Sequence, residues 1–410
     1  MPSAVVSKDR SRFYIVVGAL LAVWATAFLA LAVYVVPDMY WYSYYAVDYT
    51  VGFVRRGLAG ELVGWLPGED SFFEQRAGRW VSSGLFLVAL GVLAWWVAVR
   101  SGRSERRLQL AFLIVVLPFG FAFGLLQAGS TLFGGVALIG LAIALAKARS
   151  DRSVLIASGV YGGVTAVATL AHEAIPFLFG LGVIVALVVL ASGLQRRVLW
   201  ASYALALGPG LVVALVVAAL GRHGVSAELC ALVPHAQVNN PLAGEPTTGQ
   251  LLSGFRYYDD YHDWACRNIM PHYDRSFVDA IRYVGRLGAV GVIVNTLYGL
   301  GMFAITMLAI GSVSGVPFQR FRALLRRQWF AVAVGACLVL PVFITGVDWS
   351  RWWVVIALDI GIVYILYACG QPEVDTPPTR RSLRAFAVLM IALALIPVGI
   401  VPAFHAPLPI

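Results

Sequence analysis

Apolar runs about as long as a bilayer is thick recur from one end of this 410-residue chain to the other. A helix needs roughly 20 such residues to cross the hydrocarbon core of a membrane. The runs fall near 13–36, 80–99, 108–126, 131–147, 153–172, 175–193, 198–220, 287–312, 329–347, 352–369 and 384–403. They predict an all-α, polytopic transmembrane helical bundle of about eleven spans, as one transmembrane domain over 1–410. Composition agrees: 60% of residues are hydrophobic and 12% charged, where a soluble domain carries about 25% charged residues. No internal repeat, low-complexity tract or separate soluble domain interrupts the pattern.

The net charge of +9 comes almost wholly from arginine; Lys8 and Lys147 are the only lysines. Its distribution reads as the positive-inside bias of membrane loops, and no nucleic-acid partner is expected. Short basic connectors alternate along the chain. They hold Arg100, Arg103, Arg106 and Arg107; Lys147, Arg149 and Arg152; Arg196 and Arg197; Arg320, Arg322, Arg326 and Arg327; and Arg380, Arg381 and Arg384. With the basic N-terminus they form the expected cytoplasmic set, so an odd span count leaves the C-terminus extracytoplasmic. The first run is too long for a signal peptide's apolar core and is read as a retained helix. The Arg, Ala, Val and Gly content fits a GC-rich bacterial genome and hence a bacterial inner (plasma) membrane.

Two long loops, 37–79 and 221–286, lie on the opposite side, and chemistry is expected there. The window Asp48–Glu61 packs two carboxylates, the adjacent Arg55 and Arg56, and Gly52, Gly57 and Gly60 into the first loop. Guanidinium forks suit phosphate. An ion pair from Asp48 or Glu61 to an arginine, pinning the loop, is the structural alternative. Met39-Tyr40-Trp41-Tyr42-Ser43-Tyr44-Tyr45 reads as an interfacial aromatic belt. Ser71–Arg76 reads as part of a short helix lying on the membrane.

His172-Glu173 ends the fifth run. With Pro176 four residues on, it is no zinc-protease motif, which needs a second histidine there. Asp348-Trp349-Ser350-Arg351-Trp352-Trp353 joins the ninth and tenth runs. An Asp–Arg pair beside indoles suits a sugar phosphate: arginine pairs with phosphate and tryptophan stacks on sugar. The bland reading is an interfacial anchor. In the second loop Cys230 and Cys266 are placed for a disulfide, with two free thiols in a buried loop as the alternative. Asp259, Asp260 and Asp263 offer oxygens to a divalent cation, or simply a solvated acidic surface. His223, His235 and His272 show no zinc spacing. Asp359 lies mid-span, where an ionisable group is functional or paired inside the bundle. Pro118-Phe119-Gly120 and Gly208-Pro209-Gly210 read as helix breaks of the kind transporters use.

These features resemble the GT-C class of integral-membrane glycosyltransferases, in which an acid of the first extracytoplasmic loop commonly serves as base. Asp48 holds the matching place. The Asp348–Trp352 turn is similar to the acid-and-arginine turns of Wzy-like and EpsG-like polymerases. The likeness covers the first two spans and the ninth-to-tenth turn, and the first-loop acid stands without the second acid of the DD or ED form. The resemblance implies a membrane glycosyltransferase or polymerase that takes sugar from a polyprenyl-phosphate-linked donor to a glycan or glycolipid acceptor outside the cytoplasm. Asp48 would be the base; Arg55, Arg56 and Arg351 would hold phosphate. Glu61, His172, Glu173 and Asp348 would position sugars or orient the base, with Trp349 and Trp352 stacking on sugar. The partners expected are membrane lipid and the lipid-linked sugar. No metal ligand set is assigned, although a divalent cation is compatible with the chemistry. A transporter or flippase of an amphiphilic substrate, and an assembly subunit, are the competing classes.

Overall fold

The computed structural model describes residues 8–35, 39–66, 71–100, 104–127, 129–191, 193–247, 249–250 and 253–396. The last expected span, 384–403, therefore has its end outside the described residues. The helices are, in order, α1 (Lys8–Ala30), α2 (Met39–Ser43), α3 (Gly57–Val63), α4 (Ser71–Trp95), α5 (Glu105–Val116), α6 (Phe121–Leu126), α7 (Leu132–Lys147), α8 (Asp151–Ala171), α9 (Ile175–Leu190), α10 (Arg196–Leu220) and α11 (Ser226–Cys230). The strands β1 (Gln237–Asn239) and β2 (Tyr258–Asp260) follow, then α12 (Tyr261–Asn268), α13 (Phe277–Gly285), α14 (Gly288–Ser314), α15 (Phe318–Arg327), α16 (Trp329–Thr345), α17 (Trp349–Cys369) and α18 (Arg380–Ala394).

Within the described residues the apolar runs become helix, the run 108–126 in two pieces, and the protein is an all-α polytopic membrane protein. Among the described residues seven segments are long and apolar enough to cross a membrane alone: Arg10–Val33, Glu74–Val99, Glu105–Leu126, Asp151–Ala171, Arg196–Leu220, Gly288–Ser314 and Trp349–Cys369. The pair α15–α16, bent by 96°, makes an eighth if taken as one span. α7 and α9 are apolar but only 16 residues each.

Packing separates the helices by their surfaces. α9 is apolar on every side, so it has no solvent or headgroup face to present, and it is buried among α7, α10, α16 and α17. α1 sits at the edge and exposes Ile15, Val16, Leu20 and Val23, an apolar surface suited to lipid. The Pro118 break does divide α5 from α6. Gly120 is required there, because a Cβ would stand 2.4 Å from the Val115 carbonyl oxygen. Gly208-Pro209-Gly210, by contrast, lies within a continuous α10. Proline leaves the Leu205 carbonyl without its usual helical donor, and α8 approaches that oxygen so closely that only Gly162 fits.

Contacts stitch the two ends of the bundle separately. At the basic end Arg10 pairs with Glu105, Arg107 with Asp375 and Arg320 with Glu373. At the other end Ser130 donates to the Ala171 carbonyl and Trp41 to that of Leu126. Ser71–Arg76 is not a separate surface helix. It is the first part of α4, which starts the helix well before residue 79, and Arg79 within α4 is fully buried.

Candidate functional site

α2 builds the floor. Tyr40, Trp41 and Tyr44 fall on one side of a tight turn, with Tyr44 donating to the Tyr40 hydroxyl at 2.7 Å. Trp41 and Tyr44 stack at 5.9 Å. The aromatic run 39–45 is thus no interfacial belt: Met39, Trp41, Tyr42, Tyr44 and Tyr45 are all buried. Composition could not separate the two cases, because a ring in a headgroup layer and a ring beneath an arginine look alike in sequence.

Two guanidiniums rest on this floor. Arg351 lies 4.9 Å from the Trp41 ring and Arg56 lies 4.8 Å from that of Tyr44. Rings attract cations through their negative faces. Arg351 pairs with Asp348 at 2.7 Å. Arg56 grips Glu173 with a fork: Nε donates to Oε2 at 2.8 Å and Nη2 to Oε1 at 2.7 Å. His172 stacks on Tyr44 at 6.2 Å. The first loop, the His172-Glu173 turn and the Asp348–Arg351 turn therefore meet, although they are far apart in sequence.

Arg55 points elsewhere. It donates to the His272 carbonyl in the second loop and lies 5.2 Å from the Tyr273 ring. Adjacent arginines reach opposite walls because Arg56 adopts a left-handed backbone, φ 64°. That conformation costs a non-glycine residue about 1–2 kcal/mol, which the Glu173 fork and the Tyr44 ring offset.

Burial lowers the His172 imidazole to about 3, helped by the charges of Arg56, Arg351 and Arg55 against the opposing Glu173. It is neutral at neutral pH. Its Nδ1 accepts from the Ala174 N–H at 3.3 Å, which leaves Nε2 as the donor. Burial alone would raise the Glu173 carboxyl, but the charge and hydrogen bonds of Arg56 outweigh it and hold Glu173 below the usual carboxylate range. Three guanidiniums thus face two carboxylates. Among the described residues Arg55 Nε and Arg351 Nη1 are buried without a hydrogen-bond partner. So are Nε and Nη1 of Arg79, whose Nη2 donates to the Leu125 carbonyl at 3.0 Å and whose guanidinium lies 5.8 Å from the Tyr42 ring. Cationic donors left unmet in a buried place are costly, and an anion with several oxygens would satisfy them.

The remaining expected residues divide. Asp48 Oδ1 accepts from the Thr50 amide at 2.9 Å and from its hydroxyl at 2.5 Å, a turn within its own loop. Glu61 accepts from the Tyr49 amide at 3.5 Å. Among the described residues neither pairs with an arginine; the pin is Arg56 to Glu173. The sugar-stacking assignment fails for Trp352, which is 5% exposed and packs on Phe343. Trp349 packs on the same ring, and its Nε1 donates to the Gly346 carbonyl. The tryptophans fill space between α16 and α17, and Trp41 is the indole that lies against Arg351. Asp359 lies about 12 Å along α17 from Arg351 at 1.5 Å per residue. It is buried, and accepts from the Gly182 amide of α9 at 3.2 Å.

Cys230 and Cys266 form a disulfide. Asp259 accepts from Asn240 at 2.9 Å, whereas Asp260 caps α12 and faces His235. Tyr40, Trp41, Tyr44, Arg79, His272 and Tyr273 went unassigned by sequence reasoning. Arg79 had a readable signal, a charge at the very start of an apolar run.

The fold and the site define a class: a polytopic helical membrane protein with an arginine-rich, aromatic-floored site at one end of the bundle. The chain belongs to the family described as "Uncharacterised membrane protein Rv1490", whose model matches residues 14–394. It is 39% identical over 404 residues to "Uncharacterized protein Rv1490" of Mycobacterium tuberculosis (strain ATCC 25618 / H37Rv), covering 97% of this chain and 92% of that protein. "Uncharacterized protein Mb1527" of Mycobacterium bovis (strain ATCC BAA-935 / AF2122/97) matches with the same identity and coverage. No solved structure matches the chain.

Proposed function

We propose that this protein is a membrane glycosyltransferase or polymerase, resembling the GT-C and Wzy-like enzymes. It would use a polyprenyl-phosphate-linked sugar at the extracytoplasmic face of the bacterial inner membrane. Eleven spans, with the N-terminus inside and the C-terminus outside, give that face to the site. The carrying observation is the surplus of buried guanidinium donors on an aromatic floor beside lipid-facing helices. A lipid phosphate supplies the missing negative charge and oxygens while its tail stays in the membrane.

In the reaction the acceptor hydroxyl loses its proton to a carboxylate, its oxygen bonds to the sugar's anomeric carbon, and the bond from that carbon to the phosphate oxygen breaks. The departing phosphate keeps the electron pair, and Arg55, Arg56 and Arg351 stabilise its charge. Glu173 and Asp348 are committed to arginines and His172 is a neutral donor. Asp48 and Glu61 are both free of an arginine among the described residues, and Asp48, oriented by Thr50 and at the place the GT-C resemblance gives the base, is the proposed base. No step needs a metal.

Binding is tested with polyprenyl phosphate against the matching polyprenol, by native mass spectrometry of the detergent-solubilised protein. Phosphate-dependent binding that weakens in Arg55→Gln and Arg351→Gln is expected. Equal binding of the alcohol and the phosphate would overturn the reading. Asp48→Asn should retain lipid and lose transfer; full transfer in that variant removes Asp48 as base. The α5–α6 break and buried Asp359 favour transport as the second reading, which predicts passage of unaltered lipid in proteoliposomes.

A further inference from the structure

We propose that the second loop carries a zinc site formed by His235, Asp260, His262 and Asp263, independent of the arginine site. One donor atom from each of the four lies within 4.8 Å of every other. His235 Nδ1 stands 3.2 Å from both Asp260 oxygens, and His262 Nδ1 stands 3.1 Å from Asp263 Oδ1. Ligands about 2.1 Å from a tetrahedral zinc are about 3.4 Å apart, so these separations suit one shared ion. The two imidazoles stack at 4.0 Å with 25° between planes, which holds the two rings together at the hairpin.

A second observation concerns the other nitrogen of His262. Nε2 faces the sulfurs of Cys230 and Cys266 at 3.8 and 3.6 Å. In the tautomer that directs the Nε2 hydrogen at those sulfurs, the Nδ1 lone pair is open to a metal. The disulfide fixes Cys266, one helical turn from His262, so the ring is already placed. The rest of the set is placed by the hairpin. Gln237 pairs with Asp260 across β1 and β2, and the Tyr261 amide donates to the Ala236 carbonyl at 2.8 Å. Two imidazoles with two carboxylates favour zinc over calcium or magnesium, which take oxygen alone.

Position gives the site its effect. Tyr261, between the ligands Asp260 and His262, donates its hydroxyl to Gln75 of α4 at 2.7 Å. A zinc at this hairpin therefore clamps the second loop onto the bundle, beside the first loop and its arginines.

The test uses the full chain in detergent with its disulfide intact, stripped with a chelator, then titrated with Zn²⁺ by calorimetry and with Co²⁺ by absorption. One metal per chain is expected, with a cobalt spectrum lacking a sulfur charge-transfer band. His235→Ala and Asp263→Asn should each weaken binding by more than the 10–100-fold loss, as a rough scale, that follows removal of an outer partner. These side chains are 68% and 62% exposed, so both variants should fold, and an intact disulfide checks that they do. No uptake by the wild type, or unchanged binding in either variant, would overturn the proposal. Uptake only after reduction, with a thiolate band, would also overturn it, giving the metal to Cys230, His262 and Cys266.

Discussion

Replacing Glu173 by glutamine keeps the shape of the Arg56 contact and removes its charge. The wild-type fork places Arg56 Nε 2.8 and 3.1 Å from the two carboxylate oxygens and Nη2 2.7 Å from Oε1. In the variant an amide NH₂ must face a guanidinium, so at least one of these bonds is lost and Arg56 keeps its charge without a counterion. Breaking a buried pair costs about 3–5 kcal/mol, while an exposed pair contributes about 0–1 kcal/mol. With side chains 18% and 25% exposed, this pair lies nearer the buried limit, at about 2–4 kcal/mol. At about 2.1 cal/mol/K of unfolding entropy per residue, a chain of 410 residues loses about 1 °C in Tm per kcal/mol, so a drop of about 2–5 °C is expected. The assay is thermal unfolding in detergent, followed by tryptophan fluorescence. The sign with pH follows from the depressed Glu173 carboxyl. In the unfolded chain Glu173 takes up a proton below about pH 4.3, while the folded carboxylate does not. The wild-type advantage is therefore complete above that pH and shrinks by about 1.4 kcal/mol per unit below it. No advantage at pH 7, or a gap unchanged between pH 7 and pH 3, would refute the assignment of Glu173 as the counterion of Arg56.

Other outcomes follow from the same geometry. Arg56→Gly should be more stable than Arg56→Ala by about 1–2 kcal/mol, because glycine relieves the left-handed backbone, and a Tm difference of the opposite sign would contradict that strain. The His172 ring, lowered to about 3 from 6.5 by burial and neighbouring arginines, stays neutral when folded but charges when unfolded. Its contribution is complete above pH 6.5 and falls by up to about 1.4 kcal/mol per unit below it; His272, also lowered to about 3 by burial and arginines, adds in the same sense. His172→Phe should flatten stability measured from pH 7 to pH 5. Cys230→Ser opens a disulfide spanning 36 residues. It should cost up to about 4 kcal/mol on the chain-entropy account, and a reductant should shift the wild-type Tm towards that of the variant.

Much of the fold was legible because the hydrophobic length of a helix is a local property. Within the described residues the apolar stretches became helices, and Pro118 marked a real break. Burial within the bundle was not legible. α9 reads like any lipid-facing helix, and only its neighbours show that it is enclosed. Pro209 shows the same gap: α10 runs on through the proline, because helix continuity there depends on α8 closing over Leu205 and not on residues 208–210 alone.

The site was legible as charge and illegible as pairing. Isolated charges in a chain this apolar are conspicuous, so Arg55, Arg56, His172, Glu173, Asp348 and Arg351 could be picked out. Proximity in sequence suggested that Asp48 or Glu61 would neutralise Arg56, yet its partner lies 117 positions away. That difference changes the chemistry. Pairing within the first loop would have left Glu173 and His172 as a separate group and the first-loop acids spent. Pairing with Glu173 joins two parts of the bundle and leaves Asp48 uncommitted. Among the described residues it also leaves Arg55 without a carboxylate and Arg351 Nη1 without an acceptor. A structural ion-pair network would use up its donors internally. A surplus of buried cationic donors on an aromatic floor is the arrangement expected where the missing anion arrives with a ligand.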